Sequence, residues 1–198
     1  LCYKGDGLGY VVLNTSLPRV NVNFAIAHEI YHVFFQKNGL VSKVEFADDH
    51  YYEHEEEYAA NLFAGMLLMP EISFRRMYVK FKEESNDNEV DTIIRLMAYY
   101  EVPFMAVLIR SLELNLLRGS AISEQFLSIN RGQIEKRLGE LWLNESIMHP
   151  SNKDDYDHLE AMVKQLGSEY IRDEYINKRT LEIVLSNMSG LHKKIKGE

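Results

Sequence analysis

A helix near the start of the chain combines an apolar surface with three ionisable side chains. The sequence predicts this helix over residues 24–36, where it carries His28, Glu29 and His32. A helix that is apolar almost all round is expected to be buried, and burying polar groups costs free energy unless something satisfies them. The fold must therefore bring this helix inside together with a partner for all three groups. Its apolar residues are Phe24, Ile26, Ala27, Ile30, Val33, Phe34 and Phe35.

The spacing of the two imidazoles indicates what that partner is. His28 and His32 are four residues apart, so on a helix they share one face about one turn apart. Glu29 lies next to the first His and can reach a water molecule held there. This is the His-Glu-x-x-His arrangement, in which two His bind zinc and the Glu is the general base. Ordinary hydrogen bonds inside the protein are the alternative interpretation.

A catalytic zinc site commonly has three protein ligands and one open position, and a second helix, predicted over residues 53–68, offers the third ligand. On this helix Glu57 shares a stripe with the small residues Ala60 and Ala64, which allows that face to approach the first helix closely. Glu57 is therefore the candidate ligand. Asn61, one turn later, is placed to orient a ligand without binding the metal itself. The alternative for Glu57 is a solvated helix start that favours the helix dipole.

The remaining pattern is mostly helical. One short strand is predicted over residues 9–14, because this run is β-branched and aromatic and ends at a turn-forming Asn. Asn23 is the predicted N-cap of the first helix, and Pro70 ends the second. We therefore predict an α+β fold, mostly helical, with a small N-terminal β-sheet packed on the His-Glu-x-x-His helix and a helical C-terminal region. Further helices are predicted over residues 90–100, 104–114, 123–143, 155–175 and 177–194.

The second helix also carries a motif that makes a comparison with a known family specific. From Glu57 to Pro70 the chain reads Glu-x-x-x-Asn-x-Phe-Ala-x-x-Leu-Leu-Met-Pro. Placed after a buried His-Glu-x-x-His helix, this motif resembles the ImmA/IrrE family of metallopeptidases, which are gluzincin-like zinc proteins. The resemblance is strong over residues 8–70 and fair to about residue 118.

The resemblance implies a ligand set, a base and a substrate class. His28, His32 and Glu57 would bind Zn²⁺, and Glu29 would be the general base. Several family members cleave helix-turn-helix repressors, so the expected substrate is a protein regulator, with such a repressor as a candidate. The leading hypothesis is a zinc-dependent endopeptidase, and the alternative is a catalytically idle metal-binding sensor or protein-interaction module.

Two features depart from the family pattern. Many members have a small residue where this chain has Tyr31, so this ring is either exposed or packed against something. The family's N-terminal helix is absent and the sequence begins with Leu1 rather than Met, so we expect part of the fold either to lie upstream or to be supplied by a neighbouring molecule. Residues 1–85 would then be an N-terminally truncated peptidase core, residues 86–118 a helix-turn-helix-like pair packed on it, and residues 119–198 a helical region without an assigned role.

The donor that would stabilise the oxyanion of the reaction is not identified by the sequence. Tyr51, Tyr52, His149 and His158 have suitable side chains for this task. For each of them a structural role is the alternative, because distance along the sequence says nothing about placement in space.

Charge and composition exclude several classes of function. The chain has 22 Lys and Arg against 30 Asp and Glu, a net charge of −8, which argues against a broad phosphate-binding surface. Residues 104–114 carry Arg110 as their one cation, offset by Glu113, so we interpret their helix-turn-helix spacing as packing rather than DNA binding. One Cys excludes an intrachain disulfide framework. No apolar run approaches the roughly 20 residues that span a bilayer, so we expect a cytoplasmic protein.

Overall fold

The structure, a computed structural model, describes residues 2–5, 8–11, 13–35, 55–117, 126, 128–151 and 153–196, and most of these residues are helical. The chain divides into two compact units, a larger one of residues 13–35 and 45–152 and a smaller one of residues 1–12, 36–44 and 153–198. The helices described in the larger unit are α1 (Arg19–Phe35), α2 (Glu55–Leu68), α3 (Glu71–Glu84), α4 (Glu89–Tyr100), α5 (Phe104–Glu113) and α6 (Arg131–Glu140), followed by a 3₁₀ turn (Glu145–Met148). Those in the smaller unit are α7 (Tyr156–Arg172) and α8 (Lys178–Lys196).

The predicted α+β class is wrong, because the fold is all-α. Two four-residue segments, β1 (Cys2–Gly5) and β2 (Leu8–Val11), pair with each other in the smaller unit as an antiparallel ladder. In the larger unit, which holds the His-Glu-x-x-His helix, no described residue belongs to a named strand. A two-stranded ladder is too small to form a layer that covers a helix. The sequence signal was misleading because β-propensity is local and says nothing about how many partner strands a segment finds.

The start of α1 differs from the prediction as well. The helix begins at Arg19, where Asn21 and Val22 donate their backbone N–H groups to the carbonyl of Pro18 over 2.9 and 3.1 Å. Asn23 therefore lies inside the helix and is not its N-cap. Its side-chain amide instead donates to the backbone carbonyl of Glu101 over 3.2 Å. A Pro at the entrance of a helix has its φ angle already set for the turn, and this signal outweighs the capping preference of Asn.

The sequence predicted no helix between Pro70 and residue 90, but helix α3 occupies most of this stretch. The helix follows directly on Pro70, with Phe74, Met77 and Tyr78 buried on one face. These three positions are separated by three and one residues, the spacing of a helix that buries a single stripe. The charged residues that obscured this pattern occupy the other face.

The core of the larger unit lies between α3, α4, α5 and α6. The ends of α4 and α5 agree with the predicted helices to within one residue. Two hydrogen bonds of 2.7 and 2.6 Å join the guanidinium of Arg137 on α6 to the carboxylate of Asp91 on α4. The largest fully buried side chains of this core include Met69, Phe74, Ile93, Ile94, Leu96, Met97, Leu108 and Leu138.

Helices α4 and α5 form the bent pair that resembles a helix-turn-helix, with an angle of 108° between them. The cation of α5, Arg110, is only 8% exposed. Its Nε donates to the carbonyl of Met69 over 3.2 Å and its Nη1 pairs with Glu113 over 2.9 Å. Its charge therefore serves contacts inside the unit, which supports the packing interpretation. No single helix within the described residues is long and apolar enough to cross a membrane; α4 and α5 meet that test only together, as a bent pair.

In the smaller unit, α7 and α8 pack on each other as a helical hairpin. Gly167 permits this, because a Cβ atom at that position would lie 2.3 Å from Cδ1 of Leu181. At the ends of the hairpin, the carboxylate of Asp154 accepts from Lys196 over 2.5 Å and lies 3.4 Å from Nε2 of His192. The buried residues of the hairpin are Val163, Ile176, Leu181, Val184 and Met188.

Candidate metal centre

Small side chains bring α1 and α2 into close contact. Ala27 on α1 is 2% exposed, and Ala60 and Ala64 on α2 are 0% exposed. The stripe predicted to face the first helix therefore does so. Since Glu57 lies on the same stripe, one turn before Ala60, its side chain reaches α1 where the two His side chains leave that helix.

Three ligand-type atoms converge at this interface. Nε2 of His28 and Nε2 of His32 are 3.1 Å apart. One carboxylate oxygen of Glu57 lies 3.0 Å from Nε2 of His28, and the other lies 3.3 Å from Nε2 of His32. Within the described residues, the side chains of His28, His32 and Glu57 form a group whose geometry could hold a metal ion.

The donor set fits a divalent cation. Tetrahedral zinc with ligands at 2.0–2.1 Å requires neighbouring ligand atoms about 3.3 Å apart. The two imidazole nitrogens are 3.1 Å apart, and the two oxygens of Glu57 lie 3.0 Å from the nitrogen of His28 and 3.3 Å from that of His32. Two imidazoles and a carboxylate are a ligand set used by several divalent metals, zinc among them. The side chains are 18% exposed for His28, 6% for His32 and 28% for Glu57, so Glu57 is the most exposed of the three.

Asn61 contacts one of the two imidazoles. Its side-chain oxygen lies 3.0 Å from Nδ1 of His28. Because an amide oxygen can only accept, Nδ1 carries the proton and the lone pair of a neutral His28 is on Nε2, facing the other two ligand atoms. Asn61 was predicted to lie behind a ligand, and that role stays a prediction.

The charges around the site also act on His28. Burial alone would lower the pKa of this imidazole, but hydrogen bonds to Glu57 and Asn61 and the negative charges of Glu57 and Glu29 outweigh burial. The net effect raises the pKa of His28 above its ordinary value. The site therefore attracts positive charge, whether it comes as a proton or as a cation.

Glu29 lies on α1 directly after His28 and is half-buried. Its carboxylate is close enough to His28 to contribute to the raised pKa of that residue. Glu29 does not belong to the group of three ligand-type side chains. It is thus a fourth ionisable group close to the three candidate ligands.

The candidate oxyanion donors are not brought to the site by any described contact. Tyr51 and Tyr52 lie outside the described residues. The carbonyl of His149 accepts from the backbone N–H of Arg19 over 3.3 Å, which places His149 at the N-terminal end of α1, about 14 Å along the axis from His28. His158 lies on α7 in the smaller unit and is exposed.

Three aromatic side chains beside the site were not recognised as a group in the sequence. Tyr31, Phe35 and Phe63, which we call the aromatic triad, have ring centroids 5.4 to 5.8 Å apart. Tyr31 is therefore packed rather than exposed, and it also contacts the ring of His32. The signal was present, since Tyr31 and Phe35 are four residues apart on one helix face, but only the structure shows that Phe63 joins them.

Comparison with known protein families gives one match. Residues 3–112 match the family model Peptidase_M78, described as the IrrE N-terminal-like domain. The match covers more than half of the 198 residues and includes α1 and α2 with all three candidate ligands. Comparisons with curated proteins and with solved structures give no match.

Proposed function

Because the chain belongs to the peptidase M78 family, we propose that it is a zinc-dependent endopeptidase that cleaves a protein regulator in the cytoplasm, with a helix-turn-helix repressor as the first candidate substrate. The family match confirms the resemblance to ImmA/IrrE proteins and supports a peptidase. The observation that carries the finer proposal is the convergence of His28, His32 and Glu57, which each offer one ligand atom within 4.8 Å of the other two.

When bound, zinc would supply a Lewis acid that polarises the scissile carbonyl and lowers the pKa of water at the site toward about 7. The protein's part is to hold the ligand atoms ready. His28 would offer Nε2 because Asn61 keeps the proton of this imidazole on Nδ1. A hydrogen-bond partner on the ring nitrogen that faces away from the metal fixes the tautomer and orientation of a metal-binding His. His32 would offer Nε2 and Glu57 a carboxylate oxygen, both on the side facing His28.

Glu29 would move the proton. Its carboxylate would accept a proton from the attacking water and then deliver that proton to the nitrogen of the leaving amine. This sequence of transfers needs one carboxylate near the site that is not itself a ligand, and Glu29 meets both conditions. A positioned base of this kind contributes about 10²–10⁴-fold to a rate.

The proposal is tested by separating metal binding from cleavage. We would purify the wild type, Glu29→Gln and, as a matched control, Glu55→Gln, which alters an exposed carboxylate on α2. Zinc content would be measured by mass spectrometry, and cleavage of a panel of repressor proteins and of an unfolded protein would be followed by intact mass. We expect equimolar zinc in all three proteins, cleavage by the wild type and by Glu55→Gln, and a loss of at least about 100-fold in Glu29→Gln.

Two other outcomes contradict the proposal in different ways. A wild type that holds zinc but cleaves none of the proteins would favour the metal-binding sensor over the peptidase. A wild type that binds no zinc, even when it is added to the chelator-treated protein, would remove the metal centre itself.

A further inference from the structure

The aromatic triad packs across the contact between α1 and α2, beside the candidate metal ligands. The ring centroid of Tyr31 lies 5.4 Å from that of Phe35 and 5.8 Å from that of Phe63, and those of Phe35 and Phe63 are 5.5 Å apart. All three separations fall in the range, roughly 4.5–7 Å, in which aromatic rings attract each other. The triad therefore joins two residues of α1 to one residue of α2.

Tyr31 is the member of the triad that also contacts a candidate ligand. Its ring centroid lies 5.7 Å from that of His32, with 84° between the ring planes. This perpendicular arrangement is one of the two that the charge distribution of aromatic rings favours. Rotation of the His32 ring would lose this contact, so Tyr31 restrains the direction in which Nε2 of His32 points.

Phe63 links Tyr31 to the helix that carries Glu57. It lies six residues after Glu57 on α2, between Ala60 and Ala64, and both of these alanines are fully buried against α1. A change at the triad would therefore alter the packing of α2, the helix that carries the third candidate ligand, on α1. Tyr31 thus bears on two of the three ligand positions without supplying a ligand atom.

The triad is not part of the main hydrophobic core. Within the described residues, none of its members belongs to the buried cluster of the larger unit, and Phe35 is 55% exposed. Side chains that are partly exposed contribute less to stability than fully buried ones. Among the described residues, the ring contacts of Tyr31 are thus with Phe35, Phe63 and the candidate ligand His32 rather than with the buried cluster of the unit.

We propose that Tyr31 is a positioning residue for the metal centre, which fixes the ring of His32 and, through Phe63, the approach of Glu57. The inference rests on the proposed function, because it requires His32 and Glu57 to be metal ligands. It gives a role to the bulky residue that this chain has between Glu29 and His32. The ring, and not the hydroxyl, is the part of Tyr31 that performs this role.

The test compares two identical substitutions on the two helices. Tyr31→Leu removes the ring from the triad, whereas Tyr58→Leu removes a ring that is 60% exposed and lies next to Glu57 on α2. Tyr31→Phe keeps the ring and removes only the hydroxyl. Zinc dissociation constants would be measured by competition with a chromophoric chelator, and the visible spectrum of the cobalt-loaded proteins would report the geometry of the ligands.

We expect Tyr31→Leu to bind zinc about tenfold more weakly than the wild type, as is found for partners that orient a metal ligand, and to have an altered cobalt spectrum. Tyr31→Phe and Tyr58→Leu should stay within about twofold of the wild type. If Tyr31→Leu does not fold, as judged by circular dichroism of the metal-free protein, Phe63→Leu replaces it with the same expectation.

A Tyr31→Leu protein that matches Tyr58→Leu in both zinc affinity and cobalt spectrum would overturn the inference while leaving the metal centre intact. An equal loss in Tyr31→Phe would overturn it too, because the hydroxyl would then be responsible. A wild type that binds neither zinc nor cobalt would instead remove the proposed function on which the inference rests.

Discussion

The side-chain oxygen of Asn61 on α2 lies 3.0 Å from Nδ1 of His28 on α1, so the helix that carries the carboxylate of the site also sets the tautomer of an imidazole on its neighbour. Both helices thereby contribute to the state of a single ligand atom, Nε2 of His28. Metal binding at the site should therefore depend on Asn61, although Asn61 supplies no ligand atom.

Replacing Asn61 by Ala should therefore weaken metal binding without removing a ligand. Loss of the acceptor leaves His28 free to carry its proton on either nitrogen, and we expect zinc affinity to fall by about 10- to 100-fold. The measurement is chelator competition on the purified protein. Asn187→Ala, at an exposed position of α8, is the control and should bind zinc like the wild type. An Asn61→Ala protein with wild-type affinity would show that the tautomer is set by another contact.

Removal of the metal should lower the thermal stability of the protein. A ligand that binds only the folded state stabilises it by about 2.7 kcal/mol at a free concentration 100 times its dissociation constant. We expect added zinc to raise the melting temperature of the wild type and a chelator to reverse the change. His32→Ala should respond to neither, whereas His158→Ala, an exposed His of the smaller unit, should respond like the wild type. A zinc response retained in His32→Ala would place the binding elsewhere.

The ion pair between Asp91 and Arg137 should be important for the stability of the larger unit. Asp91 is 6% exposed, so Arg137→Ala leaves a buried carboxylate without its bidentate partner. Hydrogen bonds to charged groups are worth about 1.5–3 kcal/mol, and we expect a loss of about 2 kcal/mol in urea unfolding at neutral pH. Arg172→Ala removes an exposed pair with Asp173 and should cost less than about 1 kcal/mol. Equal losses in the two variants would contradict the prediction.

The parts of the site that depend on helical period could be predicted from the sequence. The shared face of His28 and His32 follows from their spacing, and the choice of Glu57 follows from the small residues Ala60 and Ala64 on its stripe. The structure brings these side chains together, because packing two helices through small residues fixes which faces meet. Asn61 is predictable for the same reason, since it lies one turn from Glu57.

The features that could not be predicted depend on contacts between distant segments. Asn23 has the chemistry of an N-cap, but its amide is used by the carbonyl of Glu101, 78 residues later in the chain. The prediction of a β-sheet was wrong because one strand-like run does not specify which other segments it pairs with. The packing of Tyr31 was left open because only the position of Phe63 in space decides it.

The pKa of Asp154 gives the smaller unit a defined dependence on pH. A hydrogen bond from Lys196, and secondarily one from the backbone N–H of Tyr156, lower the pKa of this carboxyl from 3.8 to about 2. A carboxyl with a lowered pKa stabilises the folded state above its unfolded pKa, and the contribution disappears as the pH falls through the folded value. The difference in melting temperature between the wild type and Lys196→Ala should therefore shrink between about pH 5 and pH 2.

The carboxyl signal of Asp154 in NMR provides the direct check. Lys196→Ala should raise the pKa of Asp154 toward its ordinary value, whereas Lys193→Ala, an exposed Lys on the same helix, should leave it lowered. A pKa that stays near 2 in Lys196→Ala would mean that the backbone hydrogen bond alone accounts for the shift.

The same substitution should stabilise the protein at one glycine of the smaller unit and not at another. Alanine is favoured over glycine in a helix by about 1 kcal/mol, and a Cβ atom at Gly190 would meet nothing within 4 Å, so Gly190→Ala should stabilise the protein. At Gly167 the added Cβ would lie 2.3 Å from Cδ1, 2.9 Å from Cδ2 and 3.1 Å from Cγ of Leu181. Leu181 is 8% exposed and has little room to rotate. Overpacking of this kind costs about 1–3 kcal/mol, enough to cancel or exceed the gain in helix propensity.

Urea unfolding of the two single variants and of the pair Gly167→Ala with Leu181→Ala checks this expectation. Gly167→Ala should be less stable than Gly190→Ala by about 1–3 kcal/mol. In the Leu181→Ala background the same Gly167→Ala change should become favourable, because the side chain that blocks the Cβ atom is gone. If Gly167→Ala stabilises the wild-type background as much as Gly190→Ala does, the close approach of α7 and α8 at this position is not a constraint on the fold.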